Sequence, residues 1–230
     1  MRLDGSRDCS GRAGISEGPR RFARAHFNRR HFALNPRDTC RPRMSFSAVL
    51  LAGGESRRMG RDKATLEWRG RPLWEWQMEK LRALKPEKIL LSARSDVAWR
   101  PADVELILDV PPSRGPLSGL AAALGAIATD HLLALAVDMP FMTTENLQLL
   151  YGLAANGTGV IPVLDEKAEP LAAIYPKEAG TVFMEALQSE NFSLQPIVRE
   201  LINLNLLKEM PVSGPARSFY KNINEPRDVA

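Results

Sequence analysis

From Met44 onward the chain alternates between short, densely apolar runs and longer stretches in which apolar and polar residues interleave as they do on amphipathic helices. The runs are Ser47–Ala52, Lys88–Ala93, Glu105–Asp109, His131–Val137, Gly159–Leu164 and Leu171–Tyr175. Helix candidates fall between or after them, at about 72–84, 117–128, 143–155, 178–189 and 194–206. A run such as Leu132-Leu133-Ala134-Leu135-Ala136-Val137 is apolar at every position, as a strand covered by helices on both faces is. Short buried strands alternating with helices imply right-handed crossovers and a mainly parallel sheet. The pattern therefore predicts an α/β fold: a single three-layer Rossmann-like domain over residues 44–230, free of internal repeats and low-complexity linkers.

The first 43 residues break this pattern. They show neither period, and Gly, Ser, Pro and Arg punctuate them throughout. They hold 11 Arg and no Lys against Asp4, Asp8, Glu17 and Asp38, a net charge of +7. The rest of the chain then carries 20 basic and 23 acidic residues, a net of −3, so the overall +4 belongs to the extension. Three readings stand for residues 1–43: an Arg-rich transit peptide, a basic arm for nucleic acid, or a disordered basic tail upstream of a true start at Met44. The third is favoured because a hydrophobic strand begins directly after Met44. No 7–15-residue apolar stretch follows the N-terminal charges, so a secretory signal is not expected. No later segment approaches the ~20 strongly apolar residues of a membrane span. Cys9 and Cys40 are too few for a disulfide framework or a cysteine metal cluster. A nucleic-acid partner is not expected of a domain with net negative charge.

In open α/β sheets ligands sit beyond the carboxyl ends of the strands. Those ends are Leu51-Ala52-Gly53-Gly54, Ser92-Ala93-Arg94, Asp109 and Asp138-Met139-Pro140. The first continues as Glu55-Ser56-Arg57-Arg58-Met59-Gly60-Arg61-Asp62-Lys63. Two glycines let backbone N–H groups approach a nucleotide, and the arginines and Lys63 supply charge for a polyphosphate. The string is neither a P-loop nor a dinucleotide fingerprint. Asp138 ends an otherwise apolar strand and fits either a Mg²⁺ ligand or the cap of a following helix. Ser118 and Gly119 fit either an anion site at a helix start or plain capping. Trp74 and Trp76 read as helix packing, with stacking on a pterin as the other reading, and His131 reads as structural.

The whole string from Leu51 to Lys63 resembles the signature of the molybdenum cofactor guanylyltransferases, in which Leu-Ala-Gly-Gly precedes Ser-x-Arg-Met-Gly and a Lys after Asp. Further motifs follow in the family's order: Gly70-Arg71-Pro72-Leu73, Asp109 with Gly115-Pro116-Leu117-Ser118-Gly119, Asp138-Met139-Pro140, and Asn222-Ile223-Asn224-Glu225-Pro226. The resemblance implies a cytoplasmic enzyme that transfers GMP from GTP to molybdopterin, with Mg²⁺ as cofactor and transient contact with molybdoenzymes or other cofactor-synthesis proteins. It implies Lys63, Arg57 and Asp138 as catalytic residues and Asp138 as the metal ligand. Leu51, Ala52, Gly53, Gly54, Lys63, Ser92, Asp109 and Asp138 would bind GTP, and Asn222 and Asn224 would lie at or behind the pterin. The chain departs from the family at Ser92, where Asn is common, and at Glu169-Pro170, where His or Gln precedes the proline. The alternatives are a cytidylyltransferase on the same cofactor, whose strand end more often reads Leu-Ala-Ala-Gly, and a nucleotide-binding regulator without turnover.

Overall fold

The computed structural model describes residues 44–53, 62–109 and 111–223. In chain order its elements are β1 (Phe46–Leu51), β2 (Glu67–Trp68), β3 (Arg71–Pro72), α1 (Leu73–Ala83), β4 (Ile89–Ala93), β5 (Glu105–Leu108), α2 (Pro116–Ala126), β6 (His131–Ala136) and α3 (Thr144–Leu153). Then come β7 (Gly159–Leu164), β8 (Lys167–Ala168), β9 (Ala172–Pro176), α4 (Ala179–Ala186), α5 (Leu194–Asn203) and β10 (Leu207–Pro211). The main sheet runs β10-β7-β9-β6-β1-β4-β5, with β8 paired to β7. The pairs β1–β4, β1–β6, β4–β5 and β7–β10 are parallel.

Every residue of β1 and β6 is buried, as expected for central strands covered on both faces. Alternation divides β1 between two cores. Ala48 and Leu50 join Leu73, Met78 and Leu81 of α1 and Leu147 and Leu150 of α3. Val49 and Leu51 face the other way, toward Leu117, Leu120 and Leu124 of α2, Phe183 of α4 and Leu201 of α5. The three layers predicted from the hydrophobic pattern are therefore present.

The sheet contains features that the apolar runs do not announce. Strand β9 is antiparallel to both β6 and β7, so the parallel order is broken once inside the sheet. Strand β10 lies at the edge beside β7, and exposure of Lys208 and Glu209 hides it from an apolar count. The β2–β3 hairpin turns on Arg69 and Gly70, with φ of 52° and 77°. Two successive positive φ values make a tight hairpin turn, which Gly70 adopts without a Cβ penalty. His131 is buried at the start of β6, its Nε2 within 3.3 Å of the Thr158 carbonyl, in keeping with a structural role.

Candidate active site

A cavity of about 140 Å³ opens where the carboxyl ends of β1, β4 and β6 meet the start of α2. Its walls include Leu51, Ala52, Gly53, Lys63, Ser92, Asp109, Gly115, Asp138 and Leu171. The sheet rule thus brings together the strand ends singled out in the sequence.

One wall is built around Asp109, 7% exposed. The Ser92 Oγ–H donates to Asp109 Oδ1 at 3.3 Å, and Ser113 Oγ–H donates to Oδ2 at 2.6 Å. A buried carboxylate needs such donors, and among the described residues hydroxyls supply them. Gly53 faces the same group: a Cβ there would stand 3.4 Å from Asp109 Oδ2, so the glycine keeps the gap open. Backbone bonds hold the wall in register, from Ala52 N to Ser92 O at 2.9 Å and from Asp109 N to Ala93 O at 3.2 Å. Helix α2 begins with Gly115 at φ 65° followed by Pro116, which suits the first helical position. Its Gly119 lies over Ser92, where an added Cβ would come within 2.3 Å of the hydroxyl oxygen. Ser118 is fully buried and accepts the Arg114 N–H at 2.8 Å, so its hydroxyl belongs to the loop before the helix.

The opposite wall is ionic. Lys63 Nζ donates to Asp138 Oδ2 at 2.9 Å, and the two side chains are 21% and 19% exposed. Lys63 starts a short 3-10 turn capped by Asp62, whose Oδ1 accepts the Ala64 N–H at 3.0 Å and whose Oδ2 accepts the Trp99 indole N–H at 2.8 Å. Behind it, the Leu73 N–H donates to Leu66 O at 2.9 Å, fastening this segment to the first turn of α1. Asp138 does not cap a helix: α3 begins at Thr144, and Thr143 supplies its cap by accepting the Asn146 N–H. That removes the capping reading of Asp138. A single half-buried carboxylate, with no trio of ligands around it among the described residues, fits a hard divalent cation that arrives with phosphates and keeps most of its other ligands.

Glu169 lies on the same side. The Ala136 N–H donates to Leu171 O at 2.8 Å, and Glu169, two residues before Leu171, lies near enough to feel the Asp138 charge. Burial, with the Asp138 charge as a smaller contribution, pushes the Glu169 carboxyl above the usual carboxylate range, while the Leu171 N–H donated to it pulls the other way.

Gly54 and Arg57 lie outside the described residues, as does Asn224. Asn222 is exposed, but its neighbour Ile223 is fully buried and donates its N–H to the Asp138 carbonyl at 2.8 Å, so this motif braces the strand end. Trp74 stacks on Trp99 at 5.4 Å, and Trp76 meets Trp68 edge-on at 5.4 Å, which supports the packing reading of both. The sequence reading missed Ser113, although a serine between Asp109 and a Gly-Pro helix start is a visible signal. It also missed Gln77 and Lys80, treated below.

The family model described as "MobA-like NTP transferase domain" matches residues 48–204. The chain belongs to the MobA-like NTP transferase family. A protein of Opitutus terrae named "Probable molybdenum cofactor guanylyltransferase" is 34% identical over 187 residues, covering 80% of this chain and 93% of the relative. A Clostridium perfringens protein of the same name is 33% identical, covering 77% and 91%. The crystal structure of molybdopterin-guanine dinucleotide biosynthesis protein A from Archaeoglobus fulgidus superposes with a TM-score of 0.65 at 25% identity, over 80% of this chain and 94% of that one. A Thermus thermophilus 2-C-methyl-D-erythritol 4-phosphate cytidylyltransferase shares the fold, with a TM-score of 0.57 at 17% identity over 79% and 94%. As a MobA-like transferase, the chain is a nucleotidyltransferase whose fold also carries cytidylyl transfer in other proteins. Among the described residues no helix is long and apolar enough to cross a membrane.

Proposed function

We propose that the protein transfers GMP from GTP to the terminal phosphate of molybdopterin, releasing pyrophosphate and forming the guanine dinucleotide cofactor. The observation that carries this reading is the pairing of Lys63 with Asp138 across one cavity from Asp109, at the strand ends where the guanylyltransferase motifs fall. The names of the relatives support the acceptor and the base.

In this reading Gly53 leaves space beside Asp109 for the nucleoside, and Asp109, held by two hydroxyls, accepts hydrogen bonds from it. Leu51, Ala52 and Ser92 complete that side, and the resemblance adds Gly54 from outside the described residues. Lys63 turns from Asp138 toward the phosphates and stabilises the charge that grows as the α-phosphorus is attacked. Arg57 contributes a second positive charge. Asp138 would hold Mg²⁺, which would supply positive charge to neutralise the phosphates. The acceptor phosphate supplies the nucleophilic oxygen, so no serine or cysteine nucleophile is required. Glu169 stands on the acceptor side with Asn222, and Asn224 follows in the same motif.

Pyrophosphate release and the mass of the product, measured with each nucleoside triphosphate and molybdopterin, test the reading. GTP is expected to give the largest kcat/KM. A larger value with CTP would assign the protein to cytidylyl transfer.

A further inference from the structure

Gln77 is fully buried, yet it lies in line with Leu73 and Leu81 on the face of α1 that packs against the sheet. A glutamine amid leucines is costly unless its amide is fully used. Its Nε2 donates to the carbonyls of Ala136 and Val137, at 3.4 and 3.3 Å. Its Oε1 accepts from Lys80 Nζ at 2.9 Å, and Lys80 also donates to the Pro140 carbonyl at 2.9 Å.

These carbonyls flank Asp138 on both sides. The chain leaves the sheet here: the parallel ladder with β1 ends at Leu51–Ala136, and the Val137 N–H to Leu51 O at 3.1 Å is its last bond. Beyond it the described bonds to this backbone come from one helical turn of α1, from the Met142 N–H to Met139 O at 3.2 Å, and from the Ile223 N–H to Asp138 O. The backbone on either side of Asp138 is therefore held by side chains some sixty positions away, while Lys63 meets the carboxylate itself.

We propose that Gln77 and Lys80 are positioning residues that aim Asp138, acting through the backbone carbonyls on either side of it; this rests on Asp138 being the residue that meets the divalent cation. The pair grips Ala136, Val137 and Pro140 as one unit because Lys80 is tied to Gln77. Burial pushes the Lys80 ammonium down to about 8, the mark of a lysine held in place rather than extended into water.

The test is Mn²⁺ binding to the full chain with GTP, read by electron paramagnetic resonance, alongside pyrophosphate release. Gln77→Met and Lys80→Met are expected to raise the Mn²⁺ concentration at half-saturation about tenfold, the low end for losing an outer support of a metal ligand. Metal-free GTP affinity should stay within about twofold, the scatter of independent sites. Lys80→Arg should restore binding. Neither methionine variant should slow pyrophosphate release further in an Asp138→Asn background, because both act through the carboxylate that variant lacks. Lys80 is only half-buried, so its variants report even if Gln77→Met fails to fold. Wild-type Mn²⁺ affinity in Lys80→Met, or losses that add in full to Asp138→Asn, would overturn the proposal. Failure of the wild type itself to bind Mn²⁺ with GTP would overturn the reading of the site and the proposal with it.

Discussion

The β1–β4–β5 wall and the β6 wall of the cavity each present one carboxylate, but the two are held by opposite means. Asp109 takes hydroxyls from Ser92 and Ser113 and stays beside rungs of the parallel sheet. Asp138 stands past the last rung of β6, takes an ammonium from Lys63, and depends on α1 and the C-terminal segment for its backbone. A carboxylate held by neutral donors keeps its charge for a further donor brought by a ligand. A carboxylate held by a lysine marks a place where incoming phosphates and a cation can take over both partners. On the proposed reading the contrast separates recognition of the nucleoside from handling of charge, and it can be broken one wall at a time.

The largest effect is expected at Asp138. Asp138→Asn keeps the shape but removes the charge, and turnover should fall roughly 10²-fold or more, as when one electrostatic stabiliser of a transition state is lost. Melting should fall by far less than activity, because the amide oxygen of this variant still accepts from Lys63 and about a fifth of the lysine side chain stays in water. A near-normal rate with unchanged magnesium dependence would remove Asp138 from the chemistry. Lys63→Ala comes next. If Lys63 meets phosphate in both ground and transition states, as proposed, GTP binding and turnover should both weaken, by about 10- to 100-fold in kcat/KM. A loss confined to kcat would limit it to the transition state.

Much of this was legible in the sequence, for identifiable reasons. Central strands such as β6 are apolar at every position, and Gly115-Pro116 announces the start of α2. The strand ends that line the cavity could be found because the sheet rule places ligands there. What escaped notice depends on pairing between distant segments. Strand β10 buries only Leu207 and Met210, one in each core, with Lys208 and Glu209 exposed between them, and β9 runs antiparallel although its composition matches a parallel strand. Helix α4 ends at Ala186, short of the 189 expected, because Leu187 to Ser189 close in turns. Gln77 looked like an ordinary helical residue, since its role is fixed by carbonyls of β6 that no local pattern reveals.

Two smaller effects probe each wall further. Gly119→Ala drives a methyl group against Ser92 Oγ, and crowding in a packed interior costs typically 1–3 kcal/mol, so about that loss in stability is expected by denaturant melting. GTP affinity should fall with it, since Ser92 holds Asp109, whereas magnesium dependence should not move. On the other wall, Glu169→Gln keeps the oxygen that accepts the Leu171 N–H and removes the charge. The raised Glu169 carboxyl favours folding in its protonated form; that contribution is full below its ordinary value of 4.5 and is lost as pH rises through the raised value. The glutamine variant should therefore melt higher than the wild type at neutral pH, with the difference vanishing below pH 4.5. An equal difference at all pH values would deny that charge is the cause.

The most direct measurement is the mass of the product formed from molybdopterin with GTP and, separately, with CTP, by the wild type and by Asp138→Asn. The expected result is a guanine dinucleotide and stoichiometric pyrophosphate from the wild type, little cytosine product, and about a hundredfold less of either from the variant. Release of no pyrophosphate by the wild type with any nucleoside triphosphate, or equal product from the Asp138→Asn variant, would contradict nucleotidyl transfer at this site.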